Sequence, residues 1–204
     1  MELGDTIDFV VLNGSPKSEY SVTLYYVKYL EKKFPEHDFI KHHVSKNINQ
    51  ILEKGELFDS IIKDIEQSDG VIWSTPVYTL LVPSQLMQFI KQVFEKDCLD
   101  SFNGKHSTAI TTSANFYDHT AHNYLRAISE DWGMKFFEGF SAQMYDLEEK
   151  EKRSNLLKFG ERFLHYVKND LDIKKEFEPI NDGTTYYEPE EVKEVQSNDD
   201  FNIL

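Results

Sequence analysis

Cysteine is nearly absent from this chain: its 204 residues include one, Cys98. A lone thiol closes no internal disulfide, and without a Cys-x-x-Cys pair the chain offers no thiolate site for zinc or an iron–sulfur cluster. Cations are scarce too, with 22 Lys and Arg against 36 Asp and Glu and a formal net charge of -14. So acidic a surface repels phosphate backbones and anionic lipid heads, which argues against nucleic acid as a partner and favours solubility. Long apolar runs are also missing. The first, Ile7–Leu12, follows Glu2 and Asp5, contains Asp8, and is too short for a membrane span or a signal peptide. The expectation is a soluble cytoplasmic protein with no membrane and no nucleic-acid partner.

What the chain does have is material for a core. Hydrophobic residues make up 40% and aromatics 14%, too rich a mixture for a disordered chain. Short apolar runs alternate with amphipathic stretches, the pattern of a parallel sheet flanked by helices. Ile7–Leu12, Gly70–Thr75, Ser107–Thr112 and Met134–Ala142 read as strands, and Asp38–Val44 as an edge strand. Between them, Ser21–Phe34 carries Val22, Tyr25, Tyr26, Tyr29 and Leu30 at helical spacing, and Pro35 stops it. Leu57–Gln67, Pro83–Phe94, Asp118–Trp132 and Glu148–Val167 read as further helices, with Pro83 in a first turn and Gly133 closing the fourth. Right-handed crossovers through this alternation predict an α/β fold: one five-stranded parallel sheet, order 2-1-3-4-5, with helices on both faces.

Residues 1–170 form the expected domain, and 171–204 an acidic C-terminal extension. Glu188–Asp200 holds six acids and one Lys, the composition of a solvated tail. Within the extension, Thr184, Thr185, Tyr186 and Tyr187 are β-prone and suit docking on the domain or on a partner chain.

In such a sheet, ligands bind beyond the carboxyl ends of the strands, where the strand order reverses. Three turns there are unusual. The first, Asn13 to Thr23, combines Gly14 with the hydroxyls of Ser15, Ser18, Ser21 and Thr23, the charge of Lys17, and the start of a helix. Free N–H groups and the positive dipole end suit a phosphate monoester; an ordinary strand-to-helix turn with Ser21 as N-cap explains the composition equally well. The loop has neither the Gly-Lys-Ser/Thr of a Walker A site nor a Gly-x-Gly-x-x-Gly fingerprint. The second, Thr75–Pro83, sets Tyr78 among apolar residues, where a flat heteroaromatic ring could stack, although Tyr78 could also plug the core edge. The third, Thr111–Tyr117, pairs small polar residues with two aromatics.

These residues carry a resemblance. Leu12-Asn13-Gly14-Ser15-Pro16-Lys17 followed by Ser21-Val22-Thr23, and Ser68-Asp69-Gly70-Val71-Ile72-Trp73-Ser74-Thr75-Pro76-Val77-Tyr78 with Val82-Pro83-Ser84-Gln85-Leu86, resemble segments of the NADPH-dependent FMN reductase family. The resemblance implies a flavodoxin-like three-layer sandwich that binds FMN and takes NAD(P)H as co-substrate. Ser15, Lys17, Ser21, Val22 and Thr23 would surround the FMN phosphate. Pro76, Val77, Tyr78 and Thr79 would lie along the flavin, and Thr112, Ser113, Ala114, Asn115 and Phe116 would meet its other side or pyrimidine edge. The chain departs from the family in three ways: Val22 replaces a common Asn, the first loop is one residue longer, and the third lacks glycines. The family's iron–sulfur branch needs a cysteine cluster, which Cys98 alone does not supply.

The activity so implied is hydride transfer from a nicotinamide to bound flavin, and on to a quinone, an azo or nitro compound, free flavin or a protein redox partner. No catalytic acid or base is required, since the flavin does the chemistry. The alternative is a non-enzymatic flavodoxin-like electron carrier or a scaffold without flavin. The extension suits a homodimer whose partner helps cover the cofactor. Other signals are weaker. His119 and His122 stand at i, i+3 without a third ligand, so no metal is expected. His42 and His43 are adjacent on a strand and point to opposite faces. Gly139–Gln143 begins like a nucleophile elbow but lacks the closing glycine.

Overall fold

The computed structural model describes residues 6–114 and 118–178. The apolar runs become strands β1 (Asp8–Asn13), β2 (Asp38–His42), β3 (Gly70–Pro76), β4 (His106–Thr112) and β5 (Lys135–Ala142). All neighbours pair in parallel, in the expected order β2-β1-β3-β4-β5. The helices are α1 (Val22–Lys33), α2 (Ile48–Glu53), α3 (Gly55–Gln67), α4 (Ser84–Glu95), α5 (Asp118–Asp131) and α6 (Lys150–Lys168). Of these, α2 was not expected. It buries only Ile48 and Ile51, too few apolar positions for a period to show.

Helices on both faces explain why strand β1 is an unbroken apolar run: Phe9, Val10, Val11 and Leu12 are all at most 1% exposed. The strand period of two then divides the core. Phe9, Val11, Ile72 and Ile110 pack with Leu24, Val27, Phe159 and Phe163 of α1 and α6. Val10, Leu12, Val71, Trp73 and Ala109 pack with residues of α2 to α5. The Trp73 indole crosses that layer to donate to Ser129 Oγ at 3.0 Å. Trp132 packs against Phe102 with the rings tilted, their centroids 4.5 Å apart, and both are buried just ahead of β4 and β5 in the chain. Gly133 follows with φ 77, and its N–H and that of Met134 return to Glu130 O and Ser129 O. That left-handed exit from α5 is why glycine stands there.

The chain leaves α6 near residue 170, where the expected extension begins, yet residues 171–178 are not free. His106 Nε2 donates to Leu171 O at 3.0 Å, and Lys135 pairs with Asp170 at 2.7 Å and Asp172 at 3.1 Å. Glu130, 3% exposed, accepts the backbone N–H groups of Glu176 and Phe177. Arg126 closes the arrangement, bonding Glu130 at 2.7 Å and Glu176 at 2.8 Å. The strap therefore lies across the amino edge of β4 and β5, opposite the edge that carries the three expected turns. Thr184 to Tyr187 lie outside the described residues.

Burial opposes the charge on Glu130, but Arg126 and the N–H groups of Phe177 and Glu176 outweigh it and hold its carboxyl below the usual value. A carboxyl depressed by folding stabilises the protein above its unfolded pKa, and that contribution is lost as pH falls through the folded one. Glu130→Ala is expected to cost about 2–4 kcal/mol in urea denaturation at neutral pH. The gap from wild type should narrow on acidification below the carboxylate range. Equal stabilities at neutral pH would show that the strap contributes nothing.

Candidate functional site

The turns after β1, β3 and β4 converge. With the turn after β5 they enclose a cleft of about 610 Å³ at the carboxyl edge of the sheet, within the size range of small-molecule sites. Ser15, Lys17, Ser21, Val22 and Thr23 line it from the first turn, Pro76, Val77 and Tyr78 from the second, and Thr112, Ser113 and Ala114 from the third. Thr79, expected beside them, is not in the lining: it sits at the apex of a tight turn. Asn115 and Phe116 lie outside the described residues.

The first turn is organised by Asn13, which is fully buried. Its Oδ1 accepts from Ser15 N at 3.0 Å, and its Nδ2 donates to Ser18 O at 3.1 Å, so one side chain spans the bend. Gly14 makes the bend possible. A Cβ there would fall 2.6 Å from Leu86 Cδ2 and 2.7 Å from Thr75 Oγ1, while Gly14 N donates to Ser74 O at 2.8 Å. The chain then passes through Ser18, at φ 53, into a one-turn 3-10 helix, Ser18–Tyr20. Ser21 caps α1 by accepting from Leu24 N at 3.4 Å. Val22 and Thr23, in the first turn, have no i−4 carbonyl within the helix, so their N–H groups and the dipole's positive end border the cleft beside Ser15 and Lys17.

The second and third turns form the opposite side. Val77 N donates to Thr112 O at 2.9 Å, and Tyr78 and Leu81 exchange backbone hydrogen bonds at 2.7 and 3.3 Å. Between them Thr79 and Leu80 have φ 46 and 77, the signs of a type I′ turn built without glycine. For a β-branched residue that geometry is strained, a feature that clusters at ligand sites. The turn leaves Tyr78 47% exposed at the mouth. Below it, Thr23 Oγ1 and Thr112 Oγ1 are 2.5 Å apart, tying α1 to β4 under the cleft floor.

His122 of α5 is tied to the strand β4. Thr111 Oγ1 donates to Asp118 Oδ2 at 3.0 Å and lies 2.8 Å from His122 Nε2. With its single proton spent on Asp118, the hydroxyl accepts from His122. Burial lowers the His122 pKa despite the nearby Asp118 charge, and His119 lowers it further. Among the described residues no group of three His, Cys, Asp or Glu is placed to hold a metal. Gly139–Ala142 belongs to β5 rather than to an elbow.

Sequence reasoning missed the fourth turn. Gln143, Met144, Tyr145, Asp146 and Glu149 also line the cleft. The Tyr26 hydroxyl donates to Gln143 O, and Gln143 N donates to Asp146 Oδ2 at 2.9 Å. Burial, with the Asp146 charge, pushes the Tyr26 hydroxyl up to about 12, so it remains a donor. Met144 and Tyr145 are 57% and 65% exposed, two large apolar side chains at the cleft mouth facing water. The one sequence signal for this turn is its place after the fifth strand, at the same carboxyl edge; its composition gives none.

The fold and cleft define a doubly wound α/β domain with a candidate ligand site at the carboxyl edge. Residues 8–165 match the family model described as flavodoxin-like fold, and the chain belongs to that family. A solved structure of FerB, a flavoenzyme NAD(P)H:(acceptor) oxidoreductase from Paracoccus denitrificans, is 19% identical with TM-score 0.67, covering 81% of this chain and 99% of that one. The apo form of the NADH:FMN oxidoreductase EMOB is 19% identical with TM-score 0.61, over 83% of this chain and 92% of that one. An FMN-dependent NADH-azoreductase from Bacillus anthracis, in complex with FMN, is 13% identical with TM-score 0.55, over 79% and 100%. At these identities the likeness shows the fold. No curated protein sequence matches significantly.

Two substitutions test the frame of the cleft. Gly14→Ala should destabilise the domain by about 1–3 kcal/mol, because backbone or Thr75 and Leu86 must give way. In a double-mutant cycle, Thr23→Val and Thr112→Val should couple by about 1 kcal/mol, read from denaturant midpoints. Strict additivity would mean that the two hydroxyls do not interact.

Proposed function

We propose that the chain is an FMN-dependent NAD(P)H oxidoreductase. The observation that carries this reading is the cleft itself: anion donors at one end, and an open slot between aromatic-bearing turns beside them. The residues suit the cofactor in charge and shape. Val22 and Thr23 offer N–H groups, Ser15 and Ser21 hydroxyls, and Lys17 a cation to a phosphate. Pro76, Val77 and Tyr78 on one side, and Thr112, Ser113 and Ala114 on the other, offer backbone and small side chains to a flat ring. Thr79, Asn115 and Phe116 remain candidates for its edges.

Bound FMN would accept hydride from a nicotinamide and pass electrons to an acceptor. The chain's residues do the rest. The helix end and Lys17 would hold the phosphate, and the turn after β3 would border the ring. Tyr78, Met144 and Tyr145, exposed around the mouth, supply apolar surface for stacking an aromatic second substrate and for keeping water off it. Quinones, azo and nitro compounds and free flavin fit that description, and a protein redox partner is the remaining acceptor class. Asp146 and Glu149 share the lining with Lys17, so an anionic nicotinamide is attracted only locally in a chain of net charge -14. The names of the similar structures, oxidoreductases of NAD(P)H with FMN or other acceptors, support the same reading. The exposed apolar mouth also suits coverage by a second copy of the chain, a homodimer. The acidic surface suits the cytoplasm, and among the described residues no helix is long and apolar enough to cross a membrane.

Purified protein titrated with FMN should quench flavin fluorescence, and the complex should oxidise NADH or NADPH with a quinone as acceptor. Ser15→Ala combined with Lys17→Ala should weaken FMN binding about 10- to 100-fold while leaving riboflavin, which lacks the phosphate, nearly unchanged. Binding without nicotinamide oxidation would make the chain an electron carrier. No flavin affinity at all would refute the reading.

A further inference from the structure

Groups of fixed polarity determine the state of a histidine beneath the first turn. The backbone N–H of Ser15 can only donate, so the Asn13 atom 3.0 Å away is Oδ1. The carbonyl of Ser18 can only accept, so the atom 3.1 Å from it is Nδ2. Flipping the amide would set like against like at both contacts. The same Nδ2 lies 2.8 Å from His43 Nδ1, and an N–H aimed there needs a bare ring nitrogen. On the other side, His43 Nε2 is 2.7 Å from Glu19 Oε1, an acceptor, so Nε2 carries the proton. Glu19 is anchored in turn by Lys28, 2.5 Å from Oε2. The chain Lys28–Glu19–His43–Asn13 ends on the two backbone groups that shape the turn.

We propose that His43, as the neutral Nε2–H tautomer, is the positioning residue of the Ser15–Ser21 turn, and that a second proton on its ring loosens the turn and the anion held there. The anion rests on the phosphate reading of that turn; the tautomer does not. An imidazolium would direct N–H against N–H across 2.8 Å. Relief comes by flipping Asn13, which opposes Ser15 N–H and Ser18 O, or by swinging the ring out of its half-buried seat. The titratable groups that face the ring are Glu19 of the 3-10 turn, 2.7 Å from Nε2, and beyond it Lys28 of α1, 2.5 Å from the other Glu19 oxygen. His42 of β2 adjoins it in sequence and is tied to Asp64 of α3 at 2.8 Å. Asn13 alone requires Nδ1 to stay bare.

The test compares wild type with His43→Asn, whose Oδ1 can accept the Asn13 bond and does not titrate. FMN and riboflavin are titrated into each from about pH 8 to about pH 5, the interval in which histidine changes charge. Wild-type affinity for FMN should fall about 10-fold further than that of the variant, a loss of one charge-assisted contact. The second ionisation of the phosphate is common to both proteins and cancels. Riboflavin should show no such difference. Nitrogen NMR of the unliganded wild type should place the proton on Nε2 at the alkaline end, a readout that needs no flavin and no variant. Superimposable pH profiles overturn the switch, and a proton on Nδ1 of the neutral ring overturns the positioning role. Failure of FMN to bind at any pH overturns the phosphate reading and the anion half of the proposal, while the tautomer still decides the rest.

Discussion

One buried amide sets the shape of the turn that opens the cleft. Asn13 closes the strand β1, and its side chain takes a donor from Ser15 and gives one to Ser18. With Gly14 lying against Thr75 and Leu86, the bend has one geometry, and α1 starts where its unpaired N–H groups border the cleft. Leaving such backbone groups unpaired in a dry interior would cost about 1–3 kcal/mol each. At the mouth of a cleft they stay solvated, so an open helix start costs the fold little.

Stability and binding are divided between the two edges of the sheet. At the amino edge, Trp132 and Phe102 are buried just ahead of β4 and β5 in the chain, and Glu130, Arg126 and Lys135 fasten residues 171–178 across it. Positive φ occurs at both edges, at Asp170 beside the strap and at Ser18, Thr79 and Leu80 around the cleft, but the exposed Tyr78, Met144 and Tyr145 stand at the carboxyl edge. A parallel sheet covered on both faces leaves only its edges for function, and here one edge holds the chain's own strap.

The fold was legible because its signals are local and repeated. The strands β1 and β3 open as continuous apolar runs and end at Asn-Gly and Pro, β4 is a β-branched and small-residue run, and each long helix shows its stripe. The helix α2 was not legible, since a six-residue element carries no period. The three expected turns of the cleft could be read from Gly14, from Pro76 and Tyr78, and from the run of small polar residues at 112–114. The turn at 143–149 could not be read in the same way, because Gln143-Met144-Tyr145-Asp146 has the composition of an ordinary surface loop. What places it is the Tyr26 hydroxyl, 117 residues away in sequence. The strap was hidden for a similar reason: Glu130 reads as one acid among 36 Asp and Glu until its partners are known.

In the proposed function, the start of α1 and the turns after β3 and β4 grip one flat, phosphorylated ring system. The most direct measurement is the change in backbone amide resonances on adding FMN. The account predicts the largest shifts at Val22 and Thr23 for the phosphate, and at Tyr78 and Ser113 for the ring, in one saturable transition. Shifts confined to other surfaces, or none at Val22 and Thr23, would contradict it.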